Sequence, residues 1–318
     1  MFWQDRPWSR KPRGQRSAWP PVQVLDEQRR TTPHASAPWS ERRLPRRLYR
    51  RMGNLEVRLV RATCDIRQAQ RLRYQVFYEE LSAKPSPTAA LRRRDADGYD
   101  AICDHFIVYD TAPSPALSAS GLGPRKAQAV GTYRVLRQEM AARSSGFYTQ
   151  GEYDIAPLLA RHSAHYQFME LGRSCVLAPY RTKRTIELLW HGLWAYAREH
   201  RIDVMIGCAS FDGVDPAKHA MALGYLHRDR LAPPAWRARA HPHLYVGMDQ
   251  IAPERIDARL AVKQLPPLIK AYLRLGAWVG DGAVVDRQFG TTDVLIILPV
   301  ENINARYFDY FGAPDEAP

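Results

Sequence analysis

Phe168-Met-Glu-Leu-Gly-Arg-Ser-Cys-Val176, continued by Leu177-Ala-Pro-Tyr-Arg-Thr-Lys-Arg-Thr185, is the stretch on which the fold turns. It reads as a strand carrying an acid and a base, then a turn, then a cationic loop that opens a helix from about Thr185 to His200. A helix N-terminus presents unpaired N–H groups and partial positive charge, which suits phosphate. Arg181, Thr182, Lys183, Arg184 and Thr185 are therefore a candidate phosphate-binding turn. On the residues alone, a solvated basic first turn is an equal reading. Glu170 and Arg173 are three apart, so a regular strand would point them to opposite faces. Gly172 between them could host a bulge that re-aims one side chain. The alternative is a structural ion pair.

Outward from this core, Asp65–Leu81 has a helical apolar stripe, and His105–Tyr109 and Ala129–Leu136 read as strands. The Pro/Gly/Ser-rich stretch between those strands suits a hairpin tip. Val204–Ala209 is a further strand, and Asp215-Pro216 opens a helix that ends near Gly224. A last helix, LPPLIKAYLRLGA, and strand, DVLIILPV, follow over residues 265 to 300 and pack on the same sheet. This order implies an α/β domain around a mixed sheet.

The 318 residues are 45% hydrophobic and 25% charged, globular values that exclude a wholly disordered, collagenous or disulfide-scaffold chain. The net charge is +13, of which +9 falls within residues 1–51. That segment mixes Arg, Pro and Ser with Trp3, Trp8, Trp19 and Trp39 without period, and reads as a disordered arm. It is either a tether for anionic membrane surface or a tail without a role. Residues 52–310 are then the folded domain and 311–318 a tail. The body's net +4 and the lack of a recognisable module argue against nucleic acid. Cys64, Cys103, Cys175 and Cys208 show no metal-like spacing and suit a reduced cytosol. With no secretory signal and no bilayer-length apolar run, a cytoplasmic location is expected, with the arm offering peripheral contact at the inner membrane.

Further charged residues fit a pocket. Asp97 and Asp100 share a turn, DGYD, and Arg73 and Arg134 lie in otherwise apolar patterns. A buried arginine is costly unless it meets a carboxylate or an anionic ligand. Such a set suits a small zwitterion. Other patterns carry less. His105 and Asp110 match an HxxxxD acyltransferase signature, but five apart on a strand they face opposite sides. His162 with His165, and His241 with His243, lack a third ligand, and no metal is expected.

ELGRSCV, YRTKRTIELLWHGLWAYA and GCASFDGVDPAKHAMALGYL, in order with RLRYQVFYEEL, DGYDAICDHFIVYD, VGTYRVLR and FYTQGEYDI, resemble the ornithine-acyl-carrier-protein N-acyltransferase family, also called hemolysin-like. LPPLIKAYLRLGAWVGDGAVVDRQFGTTDV extends the match, which runs from about Leu55 to Val300. More distantly the pattern is similar to acyl-homoserine-lactone synthases. The resemblance implies a GNAT fold: a mixed, mostly antiparallel sheet flanked by helices, here with a C-terminal helix–strand extension. It implies transfer of a 3-hydroxyacyl chain from acyl carrier protein to the α-amine of L-ornithine, the first step of ornithine lipid synthesis. Acylation of another amino acid or a signal precursor is the neighbouring reading. One departure matters: most GNAT enzymes wrap the coenzyme A pyrophosphate with glycines, whereas RTKRTI has none. No bound cofactor is expected, the donor being the acyl-phosphopantetheine of the carrier, whose single phosphodiester a less enveloping loop could hold. Acyl carrier proteins are acidic, so the basic balance fits that partner.

The chemistry needs a base, because an α-amino group is largely protonated near neutral pH. Glu170, on the strand flanking the donor loop, is the expected base. Arg73 or Arg134 is expected to meet the substrate carboxylate and Asp97 or Asp100 its side-chain ammonium, with Arg173 a further substrate-binding residue. A strand N–H where the sheet parts is the expected oxyanion donor.

Overall fold

The computed structural model describes residues 47–112 and 127–303. The strands are β1 (Arg47–Met52), β2 (Leu55–Val60), β3 (Asp104–Asp110), β4 (Gln128–Arg137), β5 (Tyr153–Asp154), β6 (Phe168–Val176), β7 (Val204–Asp212), β8 (Arg239–Ala240), β9 (Tyr245–Val246), β10 (Trp278–Asp286) and β11 (Thr291–Pro299). They form a sheet of order β1-β2-β3-β4-β6-β7-β11-β10-β8-β5, with β9 against β10. Only the β6–β7 and β8–β10 pairs are parallel. The mixed, mostly antiparallel sheet with flanking helices is the expected architecture. Its helices are α1 (Thr63–Tyr74), α2 (Pro87–Arg92), α3 (Gln138–Ala142), α4 (Ala156–His162), α5 (Lys183–Glu199), α6 (Ala220–Arg230), α7 (Ala258–Gln264) and α8 (Pro267–Leu275).

Local chemistry accounts for the elements around β6. Thr182 caps α5, its hydroxyl accepting from the Thr185 N–H at 3.3 Å, and the buried stripe of Leu188, Leu189, Leu193 and Ala197 seats the helix on the sheet. Gly192 lets α5 approach β2 closely, since a Cβ there would lie 3.0 Å from Val57. α1 continues through a π-helical turn, Gln75–Glu80, which covers the remainder of the predicted 65–81 helix.

Three boundaries differ from the sequence reading. Residues 47–51, assigned above to the arm, form β1, an edge strand whose arginines fit the charged character edges tolerate. α6 runs on to Arg230 because Gly224 sits inside the helix, where Ile256 packs against it. The C-terminal extension contains a strand beyond those expected, β10, so β11 lies between β7 and β10 inside the sheet. β3 and β4 pair as the expected hairpin, whose tip at 113–126 lies outside the described residues. So do arm residues 1–46, residues 304–310 of the expected domain and the tail 311–318.

Candidate active site

The site arises where β6 and β7 part. Their parallel pairing covers only Phe168–Glu170 against Val204–Ile206. Beyond it Gly207 presses on β6: a Cβ there would stand 2.3 Å from the Leu171 carbonyl oxygen, so only glycine fits this approach. A cavity of about 400 Å³ occupies the gap, lined by Leu171 to Ser174 of β6 and Cys208 to Ser210 of β7. Glu170 and Leu171, on opposite faces of β6, both line it, so it reaches through the sheet. One side is charged, with Arg134, Glu170 and Arg173. Phe77, Leu81, Leu268 and Tyr272 add apolar wall.

The charge results from a change of character along one sheet face. On β6 that face runs from Phe168 to Glu170, and on β4 from Leu136 to Arg134. On β7 it runs from Ile206 through Cys208 to Ser210, and on β11 from Ile297 through Leu295 to Asp293. Phe168, Leu136, Ile206, Ile297 and Leu295 belong to one hydrophobic core, and the polar ends of the same strands line the cavity above it.

Arg173 shares this side with Glu170 because of a bulge. Arg173 and Ser174 together oppose Tyr133 of β4, and Arg173 adopts φ +50°. The bulge lies one residue beyond Gly172, its predicted place. The Arg173 guanidinium is sandwiched between the rings of Tyr148 and Phe289, 4.9 and 4.7 Å from their centroids.

Behind the cavity wall, three arginines and three aspartates alternate in a closed ring. Asp95 bridges Arg73 (2.8 Å) and Arg173 (3.3 Å), and Asp97 bridges Arg173 (3.4 Å) and Arg134 (2.6 Å). Asp100 closes it, 3.0 Å from Arg134 and 2.8 Å from Arg73. Gln70 donates to Asp100 as well, at 2.8 Å. The turn holding two of the acids is a 3₁₀ helix, Gly98–Ala101, that Asp97 caps by accepting from the Tyr99 N–H. Burial opposes ionisation of Asp100, but the Arg73 guanidinium outweighs it and holds the carboxyl well below its ordinary range. Arg73 is 0% exposed.

Arg73, Asp97 and Asp100 therefore do not line the cavity, whereas Arg134 and Arg173 do. The aspartates' oxygens are held by arginines, so neither acid faces the cavity as a partner for an ammonium. Asp95, the ring's third acid, was not singled out from sequence; RRRDADGYD hides it among arginines and a neighbouring acid.

Glu170 lies at the junction of the parted strands, 5% exposed. Its Oε2 accepts from the Tyr148 N–H at 2.7 Å, and its Oε1 accepts from the Thr149 N–H at 2.6 Å and from the Thr149 hydroxyl. A carboxylate oxygen can accept twice, so Oε2 keeps one acceptor site. Burial raises the carboxyl's pKa, although the Thr149 and Tyr148 donors oppose that rise.

A second acidic set was missed. Glu152 follows the 3₁₀ turn Tyr148–Gly151 that Glu170 holds, Asp293 lies on β11, and Asp286 ends β10. Oxygens of the three lie within 4.8 Å of one another, and all three residues line the cavity. Burial, reinforced by Asp293, pushes Glu152 up to about 7, and burial pushes Asp293 up to about 6. Their only sequence signal was membership in GEYD, VVDRQFG and GTTDV.

The cationic turn sits apart from the cavity wall, at the N-terminus of α5. Arg181 pairs with Glu80 and donates to the Val176 carbonyl at 3.0 Å, and Lys183 pairs with Glu187 at 3.4 Å. Arg184 reaches the β1–β2 turn at Gly53, and Thr185 is buried beneath its cap. Cys175 is buried with its thiol pushed up to about 12, unsuited to a nucleophile. His105 contacts the Asp100 carbonyl (3.0 Å) while Asp110 accepts from Tyr180 (2.8 Å), so that pair does not act together. His162 stacks on Trp236 and His241 contacts the Gln150 carbonyl, as structural histidines do.

Residues 72–191 match the model described as an acetyltransferase (GNAT) domain. The chain is 53% identical over 263 residues to the L-ornithine N(alpha)-acyltransferase of Rhizobium meliloti (strain 1021), covering 83% of this chain and 86% of the relative. It is 52% identical over 269 residues to the protein of that name from Agrobacterium fabrum, covering 85% and 89%. Among solved structures, FeeM, an N-acyl amino acid synthase from uncultured soil microbes, aligns with a TM-score of 0.43 at 12% identity, over 78% of this chain and 91% of that one. With identity above half across most of both chains, a GNAT domain and a site lying where its sheet parts, the chain belongs to the L-ornithine N(alpha)-acyltransferase family.

Proposed function

We propose that this enzyme transfers a 3-hydroxyacyl chain from the phosphopantetheine of an acyl carrier protein to the α-amine of L-ornithine, giving lyso-ornithine lipid. The observation that carries the reading is the cavity that crosses the parted sheet, charged on one side and with apolar wall besides. The amino acid enters the charged side and the acyl chain takes the apolar wall. The two substrates then meet at the junction beside Glu170.

Arg173 and Arg134 attract the acceptor's carboxylate. The Asp95–Asp97–Asp100 ring with Arg73 holds those two guanidiniums in place, so Arg73, Asp97 and Asp100 act as positioning residues. Glu170 takes a proton from the α-ammonium on the open acceptor site of Oε2. The amine nitrogen then attacks the thioester carbonyl, and a backbone N–H of the parted β6 stabilises the oxyanion. The C–N bond forms, the C–S bond breaks, and the second amine proton goes to the departing thiolate.

The glycine-free turn Arg181–Thr185 favours the single phosphodiester of a carrier-borne donor over a coenzyme A pyrophosphate. A basic surface speeds encounter with an acidic carrier. The product is membrane-bound, which suits brief contact of residues 1–51 with anionic lipid. No helix among the described residues is long and apolar enough to cross a membrane. The test is release of free thiol from 3-hydroxyacyl carrier protein and from acyl-CoA, with ornithine, lysine, glycine and homoserine as acceptors. Thiol release with ornithine and carrier thioester is expected. Its absence, with release for another amine, overturns the acceptor.

A further inference from the structure

We propose that Glu152, Asp286 and Asp293 receive the side-chain ammonium of the acceptor and thereby select a diamino acid over a neutral one. This rests on the ornithine reading above and assigns residues that the reaction itself does not use. The acids come from three parts of the chain and converge at one end of the cavity. Asp293 is only 6% exposed, yet its Oδ1 has no hydrogen-bond partner, and neither has Oε2 of Glu152. Asp286 uses Oδ1 to hold the N–H groups of Gln288 and Phe289. Among the described residues, no Lys, Arg or His forms an ion pair with any of the three, and the nearest guanidinium, Arg173, is engaged by Asp95 and Asp97. Buried carboxylates without a cation are costly, so the arrangement calls for one from outside.

An ammonium suits the three acids. An alkylammonium has three N–H donors, one for each carboxylate. Oxygens about 2.8 Å from a tetrahedral nitrogen stand about 4.6 Å apart, and those of the three acids lie within 4.8 Å of one another. The Arg134 and Arg173 guanidiniums line the same cavity, so one space offers cations for a carboxylate and acids for an ammonium, as a diamino acid requires.

The experiment compares ornithine with norvaline, its equivalent without the terminal amine, using the full chain and carrier thioester. The wild type is expected to prefer ornithine by about 100-fold or more in kcat/KM, since a site built for an N–H group rejects the analogue lacking it. Asp293→Asn and, separately, Glu152→Gln are expected to bring that ratio to within about fivefold, the loss falling on KM for ornithine. Should Asp293→Asn fail to give a cooperative melt, Glu152→Gln decides. Retention of the wild-type ratio in the folded variant overturns the assignment while leaving ornithine acylation intact. Loss of activity on chelation, restored by a divalent cation, also overturns it. A wild type that acylates norvaline but not ornithine refutes the underlying function instead.

Discussion

Replacing Glu170 by Gln separates a proton acceptor from a brace. The side chain makes three hydrogen bonds to Tyr148 and Thr149, and the amide can keep only those to one oxygen. With its carbonyl toward Thr149, its NH₂ confronts the Tyr148 N–H, so one bond to a charged acceptor is lost at about 1.5–3 kcal/mol. Removal of a buried charge offsets part of this. The net destabilisation should be about 1–2 kcal/mol, lowering Tm by roughly 2–8 °C for a domain of this size. Loss of a positioned base should lower kcat/KM at neutral pH by about 10²–10⁴. Thiol release against ornithine from pH 6 to 10, beside a melting curve, reads both quantities. The rate deficit should shrink toward high pH, where the amine loses its proton without help. A variant with the expected Tm loss but kcat/KM within about threefold of wild type at neutral pH would show that Glu170 only holds the 148–151 turn.

Arg73→Met should be among the most destabilising single changes, because it leaves buried Asp95 and Asp100 each with one arginine in place of two. A loss of about 3–5 kcal/mol in chemical denaturation is expected, and one below about 1 kcal/mol would contradict the ring. The stability of the ligand-free enzyme should also fall as pH rises from about 5 to 7.5. Glu152 and Asp293 have folded-state pKa values raised to about 7 and about 6, so the folded state binds more protons than the unfolded chain in this window. Asp286 faces both acids and strengthens the effect, whereas Cys208 beside Glu152, Ser210 and Thr291 beside Asp293, and Arg173 near both weaken it. Asp100 has the opposite sign and matters only in acid, below its ordinary carboxylate pKa. Buried His105, its imidazole pushed down by burial, has the opposite sign in this window, so the measure is differential: across that range the wild type should lose melting temperature relative to the Glu152→Gln, Asp293→Asn double variant.

The strand–turn–helix of 168–199 was legible because its signals are local: apolar alternation, a cationic turn, then a helical stripe. The Arg173 bulge was legible only as a need. Its position depends on Tyr133 of β4, forty residues away, and the left-handed residue is the arginine and not the neighbouring glycine. β10 was missed because WVGDGAVVD places two glycines and two aspartates in a strand, residues that sheets disfavour. β1 was missed because three of its six residues are arginine, which suits an edge and hides a strand.

Assignment of individual charges shows where one-dimensional reading stops. Arg73, Arg134, Asp97 and Asp100 were rightly grouped, since buried ions need partners, but pattern alone cannot separate ions that neutralise one another from ions left for a ligand. In the ring each aspartate spans two arginines, and of its six members Arg134 and Arg173 also line the cavity. Glu152 and Asp293 are the reverse case, acids that look ordinary in sequence yet retain unpartnered buried oxygens in the fold. They meet only because β11 inserts between β7 and β10, bringing Asp293 opposite Ser210 and beside the turn that Glu170 holds. The C-terminal extension thus does more than cover the sheet. It supplies two of the three acids at the cavity's far end, so shortening the chain before β10 should remove discrimination among acceptors as well as stability.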